Sequence, residues 1–439
     1  MELTTKKIAS ILGGKSCFSD EKIAKISTDS RTVQKGDVFI AIKGESFDGH
    51  NFVAEVLKKG ACLAVVEHLV EGADKNKQIV VEDTLKAYGK IGAYVRSLFQ
   101  GVVIGLTGSS GKTTTKEEIK FILSHFGKVY ATIGNHNNFV GVPESLCNLD
   151  LSADYAVVEM GMSAKGEISR LTSYVQPDIA LITNVYPMHI EFFENLKGIA
   201  KAKAEIFEGL KTGGAAIVNA DTNYADVLIQ KAKEKTNRIF LFGQNNKPEA
   251  TFETQNEGQH HLYNAWATLK VVQALGLDVK SAASYIKEFG ALAGRGKKHI
   301  LNLNESATYT LIDDSYSGQP EAMKLAIEAL DKMPSKGRKI ALLGKMAELG
   351  ECSKEKHLEI GNLVSKTNID VVVGVCPEMK DMLACLPAHI KQYYFENKEG
   401  VCSFLLNQLL QNEDILLIKG ARYSSKLYQV AEELIKKGS

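Results

Sequence analysis

The sequence predicts an α/β fold in three domains: a small N-terminal α/β domain, a central domain on a parallel sheet, and a C-terminal Rossmann-like domain. Three features carry that expectation. The chain is 439 residues long, more than one ordinary domain holds. Short apolar runs alternate with stretches of helical spacing along it, the pattern of doubly wound sheets. A glycine-rich loop, Gly105-Leu106-Thr107-Gly108-Ser109-Ser110-Gly111 followed by Lys112-Thr113-Thr114, sits between an apolar run and a helical one.

Residues 1 to about 97 read as the first domain. Apolar runs at 37–41, 62–66 and 79–81 suit buried strands, and 52–59 and 84–99 have helical spacing. The second domain runs from about 98 to 298. Its strands are expected at 102–106, 156–159, 179–183 and 215–219, with helices at 114–126, 199–210 and 262–275. The third domain, 299–439, restarts the alternation with strands at 309–312, 339–343, 371–375, 391–395 and 415–418. A helical stretch follows each of the five, including 320–331 and 424–437. Residues 290–296, rich in glycine and alanine, suit a linker. In sheets of this kind ligands bind at the strand C-terminal ends.

Hydrophobic content of 44% and charged content of 24% are those of a soluble globular protein. The net charge of +1 gives no global field for nucleic acid or a membrane surface. Seven cysteines are scattered without a Cys-x-x-Cys pair, which disfavours a disulfide framework or zinc site. No apolar run reaches the length of a membrane span, and a cytoplasmic protein is expected.

The glycine loop is the sharpest signal. Its strand–loop–helix context is that of a P-loop, whose backbone N–H groups converge on phosphate oxygens at a helix N-terminus. Lys112 can reach the β- and γ-phosphates of ATP, and the Thr113 hydroxyl can ligate Mg²⁺. The commonest spelling would have glycine at Leu106. A plain Gly/Ser turn is the bland alternative, and the flanking strand and helix argue against it.

Other candidates stand at strand ends. Glu159 closes Ala156-Val157-Val158-Glu159 and suits a carboxylate beside the phosphate loop, holding Mg²⁺. His189 follows another strand, where a histidine is equally a structural residue. Asn135, Asn137 and Asn138 form a cluster of amides that either makes turns or donates to anionic oxygens. Among Lys197, Lys201 and Lys203, positions 201 and 203 point to different faces, so only one can reach the site. Asp313-Asp314-Ser315-Tyr316, Gly344-Lys345-Met346-Ala347-Glu348 and Lys419-Gly420-Ala421-Arg422 end strands at one edge of the third domain.

Together these segments resemble the Mur ligases of peptidoglycan synthesis, over essentially the whole chain. Thr107 to Thr113, Glu159, the His189 segment and Gly294-Arg295 carry the family resemblance. Gly134-Asn135-His136-Asn137-Asn138 with Gly141-Val142-Pro143, Asp-Asp-Ser-Tyr, Met-Ala-Glu-Leu-Gly and Lys-Gly-Ala-Arg look like its D-Ala-D-Ala-adding branch.

The resemblance implies ATP-dependent amide synthesis through an acyl phosphate, joining D-Ala-D-Ala to a UDP-MurNAc-tripeptide. It implies two Mg²⁺ ions, with Thr113, Glu159, His189 and a carbamylated lysine, Lys203 in preference to Lys201, as their ligands. Thr107, Gly108, Ser109, Ser110, Gly111, Lys112, Thr113 and Thr114 would cradle ATP. Asn264 would contact adenine, Arg295 the phosphates, and Asp313 and Tyr316 would close on the nucleotide. Ser30, Arg31, Lys43, Gly44, Asp48 and His50 would hold the UDP end. Asn135, Asn137, Asn138, Lys419 and Arg422 would contact the remaining substrate. A monomer is expected, without nucleic acid or membrane insertion.

Two departures fall in the third domain. Ser317-Gly318-Gln319 replaces the family's Asn-Ala-Asn, and Lys345 stands for aspartate before Met346. They leave a related ligase with another amine as an alternative, and a nucleotide-binding protein without catalysis as a second.

Overall fold

A computed structural model describes residues 3–14, 20–44, 47–188, 190–255 and 258–438. His189 lies outside the described residues.

The first sheet has parallel strands in the order β1-β2-β3-β4: β1 Ile26–Ser27, β2 Val38–Ile40, β3 Leu63–Val66 and β4 Gln78–Val80. Both β2 and β3 are buried at every position, which is why their sequences are continuous apolar runs. The long helix Thr84–Leu98 is capped by the Asp83 carboxylate, which accepts from Lys86 N. Its buried Arg96 donates to Val175 O (2.8 Å), Gln176 O (3.0 Å) and Asp178 Oδ2 (3.1 Å), tying the helix to the central domain.

The central sheet is wholly parallel: β5 Val102–Thr107, β6 Val129–Ala131, β7 Tyr155–Glu159, β8 Ile179–Ile182, β9 Ala215–Asn219 and β10 Ile239–Phe242, in the order β10-β9-β8-β5-β7-β6. From β5 the chain goes to the edge strand β6, returns through β7 and crosses to β8, β9 and β10. The connections leave the neighbours β5 and β8 in opposite directions, so the crevice at their C-terminal ends is a topological switch point. Val103 enters one core and Ile104 and Leu106 the other, because successive side chains alternate across the sheet.

The third sheet comprises β11 Lys297–Asn304, β12 Ala307–Asp314, β13 Lys339–Gly344, β14 Val371–Val375, β15 Lys391–Phe395 and β16 Ile415–Lys419. Their order is β11-β12-β16-β13-β14-β15, parallel except for the β11–β12 hairpin. Strands β1, β6, β10 and β11 add to those expected. β1 and β6 are two and three residues long. β11 carries lysines and asparagines on an edge, the usual dress of edge strands. It starts at Lys297, directly after the glycine-rich linker.

The helix expected over 114–126 runs Lys112–Leu123, starting as the glycine loop ends. The one expected over 199–210 is Leu196–Ala204, capped by Asn195, with a 3₁₀ turn over Glu205–Gly209. There the Glu205 carboxylate accepts from Gly166 N (2.9 Å) and Ser169 N (3.1 Å).

Helix Lys112–Leu123 packs against helix Gln259–Ala274 and buries Glu118 between them. Burial pushes the Glu118 carboxyl up to about 8, opposed by a contact with Thr268 Oγ1. The native state therefore keeps this proton after the unfolded chain has lost it. The stability this contributes is full below the ordinary glutamate range and is lost as pH rises through about 8. Glu118→Gln is expected to melt higher than the parent at pH 8–9, by about 2–4 kcal/mol of unfolding free energy. The gap should close toward pH 5 in thermal melts across pH, and a gap independent of pH would refute the assignment.

Candidate active site

The phosphate loop is built by the strand ends beside it. Ser110 N donates to Asn184 Oδ1 (2.8 Å), and Ser110 O accepts from Thr183 Oγ1 (2.7 Å) and Asn184 Nδ2 (3.1 Å). Ser109 Oγ exchanges hydrogen bonds with the backbone of Tyr186. Gly108 leaves no room: a Cβ there would lie 1.8 Å from Thr183 Oγ1. Gly108→Ala is expected to cost about 1–3 kcal/mol and to weaken nucleotide binding sharply while the fold survives. Calorimetric titration with ADP beside a thermal melt checks this, and unchanged affinity would rule it out.

Lys112 opens the helix after the loop. Its Nζ donates to Gly108 O (2.8 Å), folding over the nest that phosphate oxygens would enter. Burial lowers its pKa, and the Glu159 charge partly restores it. Glu159 sits in register with Leu106 of β5, which brings its carboxylate to the loop. One oxygen, Oε1, accepts from Asn137 Nδ2 (2.7 Å), while Oε2 is buried without a partner. Thr107 Oγ1 is likewise buried and unpartnered.

These orphaned oxygens are the chemical fit for Mg²⁺, a hard cation that takes oxygen ligands and shares them with phosphates. Among the described residues no group of three or more His, Cys, Asp or Glu side chains converges to cage a metal by itself. The residues present thus suit an ion held jointly with substrate oxygens.

Lys203 and Lys201 separate as their spacing requires: Lys203 is buried at 2% exposure and Lys201 is exposed. Burial, and then the charge of Lys112, drive the Lys203 ammonium well below the usual lysine range.

One cleft collects many of the expected residues. Ser109, Ser110, Gly111, Lys112 and Thr113 form one wall with Glu159. Asn135, Asn137 and Asn138 stand beside them, and Arg295, Tyr316 and Arg422 face them from the linker and third domain. The guanidinium of Arg295 lies 4.0 Å over the Tyr316 ring, and that of Arg422 lies 5.4 Å from it. Asn138 spends its Oδ1 on the backbone N–H groups of Val140 and Gly141, so it shapes the loop. Lys345, Met346 and Glu348 close the far side.

A second cavity opens behind Gly111, lined by Thr114, Asn264, His260, Tyr263, Arg295 and Lys419. Asn264 Oδ1 accepts from Thr115 Oγ1 (3.1 Å), so its amide is held by the phosphate-loop helix. Asp313 does not face this cavity. Its carboxylate accepts from Gly294 N (2.8 Å) and Ser315 Oγ (2.6 Å), pinning the linker to the strand end. Asp314 is the one in the lining, paired with Lys419 at 2.6 Å. Burial raises its carboxyl and Lys419 opposes that. Lys419 therefore belongs to this cavity and not to the cleft.

The first-domain candidates lie outside both cavities. Arg31 is exposed and paired with Asp29 (2.7 Å). Lys43 bridges Asp48 through the backbone, and Gly44 N donates to Phe47 O (2.7 Å). Ser30 is buried, its carbonyl accepting from Lys59. His50 has no ring nitrogen to spare. Its Nε2 accepts from Glu67 N (2.9 Å), so Nδ1 carries the proton and donates to Asp48 Oδ1 (2.6 Å). Its place is structural, orienting the turn that bears Asp48. Thr183 and Asn184 escaped the sequence reading, and only their position at strand ends could have flagged them.

Comparison with known proteins agrees with this geometry. Three family models match in succession: "Mur ligase family, catalytic domain" over residues 22–96, "Mur ligase middle domain" over 106–278, and "Mur ligase, glutamate ligase domain" over 301–422. The UDP-N-acetylmuramoyl-tripeptide–D-alanyl-D-alanine ligase of Rickettsia prowazekii is 33% identical over 91% of this chain and 92% of its own. The ligase of that name from Escherichia coli is 31% identical over the full length of both. A crystal structure of MurF from Acinetobacter baumannii superposes with a TM-score of 0.89 at 30% identity, covering 100% of this chain and 99% of the other. MurF from Thermotoga maritima in complex with ADP gives 0.79 at 29%, covering 94% and 97%. With three Mur ligase models matched in succession and relatives above 30% identity over nearly its full length, the chain belongs to the Mur ligase family.

Proposed function

We propose that this protein is the ATP-dependent ligase that joins D-alanyl-D-alanine to UDP-N-acetylmuramoyl-tripeptide, making the pentapeptide precursor of peptidoglycan. The observation that carries the reading is the cleft in which Lys112 and the half-satisfied Glu159 face Arg295, Tyr316 and the third-domain loops. The full-length likeness to UDP-N-acetylmuramoyl-tripeptide–D-alanyl-D-alanine ligases supports the identity of the substrates.

In this reading an oxygen of the tripeptide's terminal carboxylate attacks the γ-phosphorus of ATP. The bond to the bridging oxygen breaks, giving ADP and an acyl phosphate. The dipeptide amine then attacks the acyl carbon, the C–N bond forms, a proton leaves the nitrogen and phosphate departs. A free carboxylate is too poor an electrophile for this without activation.

Lys112 and the loop N–H groups neutralise charge that grows on the phosphoryl oxygens. Bound Mg²⁺ would draw anionic oxygens of both substrates together and offset their repulsion. Thr113, Glu159, His189 and a carbamylated Lys203 are the proposed ligands. The depressed pKa of Lys203 supports the last, since only a neutral amine adds CO₂. Asn264 and Arg295 would hold adenine and phosphates, and the first-domain loops with Ser30, Arg31, Lys43 and Asp48 the uridine end. Arg422 and the loops at Lys345 and Gln319 would receive the dipeptide.

In the third domain Lys345 pairs with Glu378 at 2.5 Å and Gln319 with Glu348 at 3.2 Å. The residues themselves, Lys345 and Ser317 to Gln319, are what leave a different amine open. Phosphate release with ATP, the UDP-tripeptide and a panel of amines tests the reading. Turnover with a diamino acid and none with D-Ala-D-Ala would overturn it. ATP binding with no amine-dependent release would favour a catalytically silent relative. No described helix is long and apolar enough to cross a membrane, and a cytoplasmic place is proposed from the use of ATP.

A further inference from the structure

We propose that Lys116 is a positioning residue for phosphoryl transfer, clamping the asparagine loop that braces Glu159 to the helix that bears Lys112. This rests on the reading of Glu159 given above.

Lys116 follows Lys112 by one helical turn, on the same face. It has 0% exposure, a costly place for an ammonium unless every N–H is used. Two of its N–H groups donate to Thr132 O and Gly134 O, each 2.6 Å from Nζ, and the Glu117 carboxylate pairs with its charge, Oε1 lying at 2.9 Å.

The two carbonyls bracket the point where the chain leaves β6. On one side, Thr132 Oγ1 accepts from Glu159 N (3.2 Å). On the other, the chain runs from Gly134 to Asn137. Asn137 O accepts from Gly161 N (2.7 Å), and its Nδ2 donates to Glu159 Oε1. Glu159 is thus held at its backbone, at one carboxylate oxygen and through the next turn. Lys116 grips the segment that supplies all three holds. Lys116 does not line the cleft, so its contacts bear on the chemistry through that segment. A methionine would fill the same volume and leave both carbonyls without a donor, which is the difference that the proposal turns on.

The test uses the full chain, with Lys116→Met, Asn137→Ala and the double variant. Phosphate release with ATP, UDP-MurNAc-tripeptide and D-Ala-D-Ala gives kcat and KM. Amide hydrogen exchange by mass spectrometry is read on the nucleotide-free protein. Lys116→Met is expected to lower kcat about a hundredfold, the cost of a small misplacement, with KM for ATP little changed. Exchange should quicken over residues 133–141 and stay as in the parent over 112–123. Because both changes act on one linkage, the double variant should be no slower than the slower single variant.

Multiplying losses, an unchanged kcat, or exchange that quickens across the whole central domain would overturn the clamp. Should Lys116→Met not fold, Lys116→Gln, which keeps donors for the carbonyls, carries the same readouts. A parent protein that releases no phosphate with D-Ala-D-Ala would fault the assigned reaction. The exchange pattern would still decide the clamp.

Discussion

Lys203→Ala is expected to cut turnover on the order of a thousandfold, as the loss of one preorganised charged contact does, while Lys201→Ala leaves it nearly intact. The reason lies in where the two side chains stand. Lys201 is solvated, whereas burial and then the Lys112 charge drive the Lys203 ammonium well below the usual lysine range. In the proposed reading its neutral form adds CO₂ and sheds a proton to give a carbamate. That anion would sit favourably near the Lys112 ammonium, where the parent ammonium would not. The alanine variant removes the amine but leaves a space that a small carboxylate can enter. Partial recovery with added acetate or formate is therefore expected in the phosphate-release assay. The parent should show a mass gain of one CO₂ that the variant lacks. A severe loss in Lys201→Ala with a mild one in Lys203→Ala would reverse the assignment.

Lys112→Ala should lower kcat by about 10²–10³ and weaken nucleotide binding as well. In the present arrangement its Nζ is bonded to Gly108 O, a contact that an incoming phosphate would replace. Arginine should not substitute, because a planar fork cannot occupy the place of a compact ammonium over a closed loop. The pH dependence has a definite sign. Burial lowers the Lys112 pKa, so its positive charge, and the activity that needs it, are lost on the alkaline side at lower pH than for an ordinary lysine. Titration with ADP and a pH–rate profile check both parts. A variant that turns over at the parent rate would remove Lys112 from the mechanism.

Sequence periodicity reached the architecture because doubly wound sheets bury their strands on both faces. Val371–Val375, and Ala215–Asn219 up to its closing asparagine, are then unbroken apolar words. The elements it passed over lack that property. Val129–Ala131 is too short for any period, and Lys297–Asn304 is an exposed edge whose lysines mask its alternation. The site divides in the same way. The phosphate loop and Glu159 were legible since their chemistry is local: a loop, a strand end. Lys116 and Glu118 were not, because Lys-Thr-Thr-Thr-Lys-Glu-Glu spells a solvated helix face until β6 and helix Gln259–Ala274 cover it. Asp313 and Asp314 divide for a related reason. Adjacent strand residues point to opposite faces, and the one that meets the cavity is decided by the linker that the other holds.

That linker has a consequence in stereochemistry. Gly294 and Gly296 flank Arg295 with φ of +72° and +84°, a region closed to most L-residues. An L-alanine at either would carry about 1–2 kcal/mol of strain, whereas a D-alanine introduced by chemical ligation would fit the angle and remove disorder from the unfolded chain. The pivot that presents Arg295 is therefore specified by handedness. A mirror-image residue there should stiffen the joint between the two larger domains, where an ordinary one would break its setting.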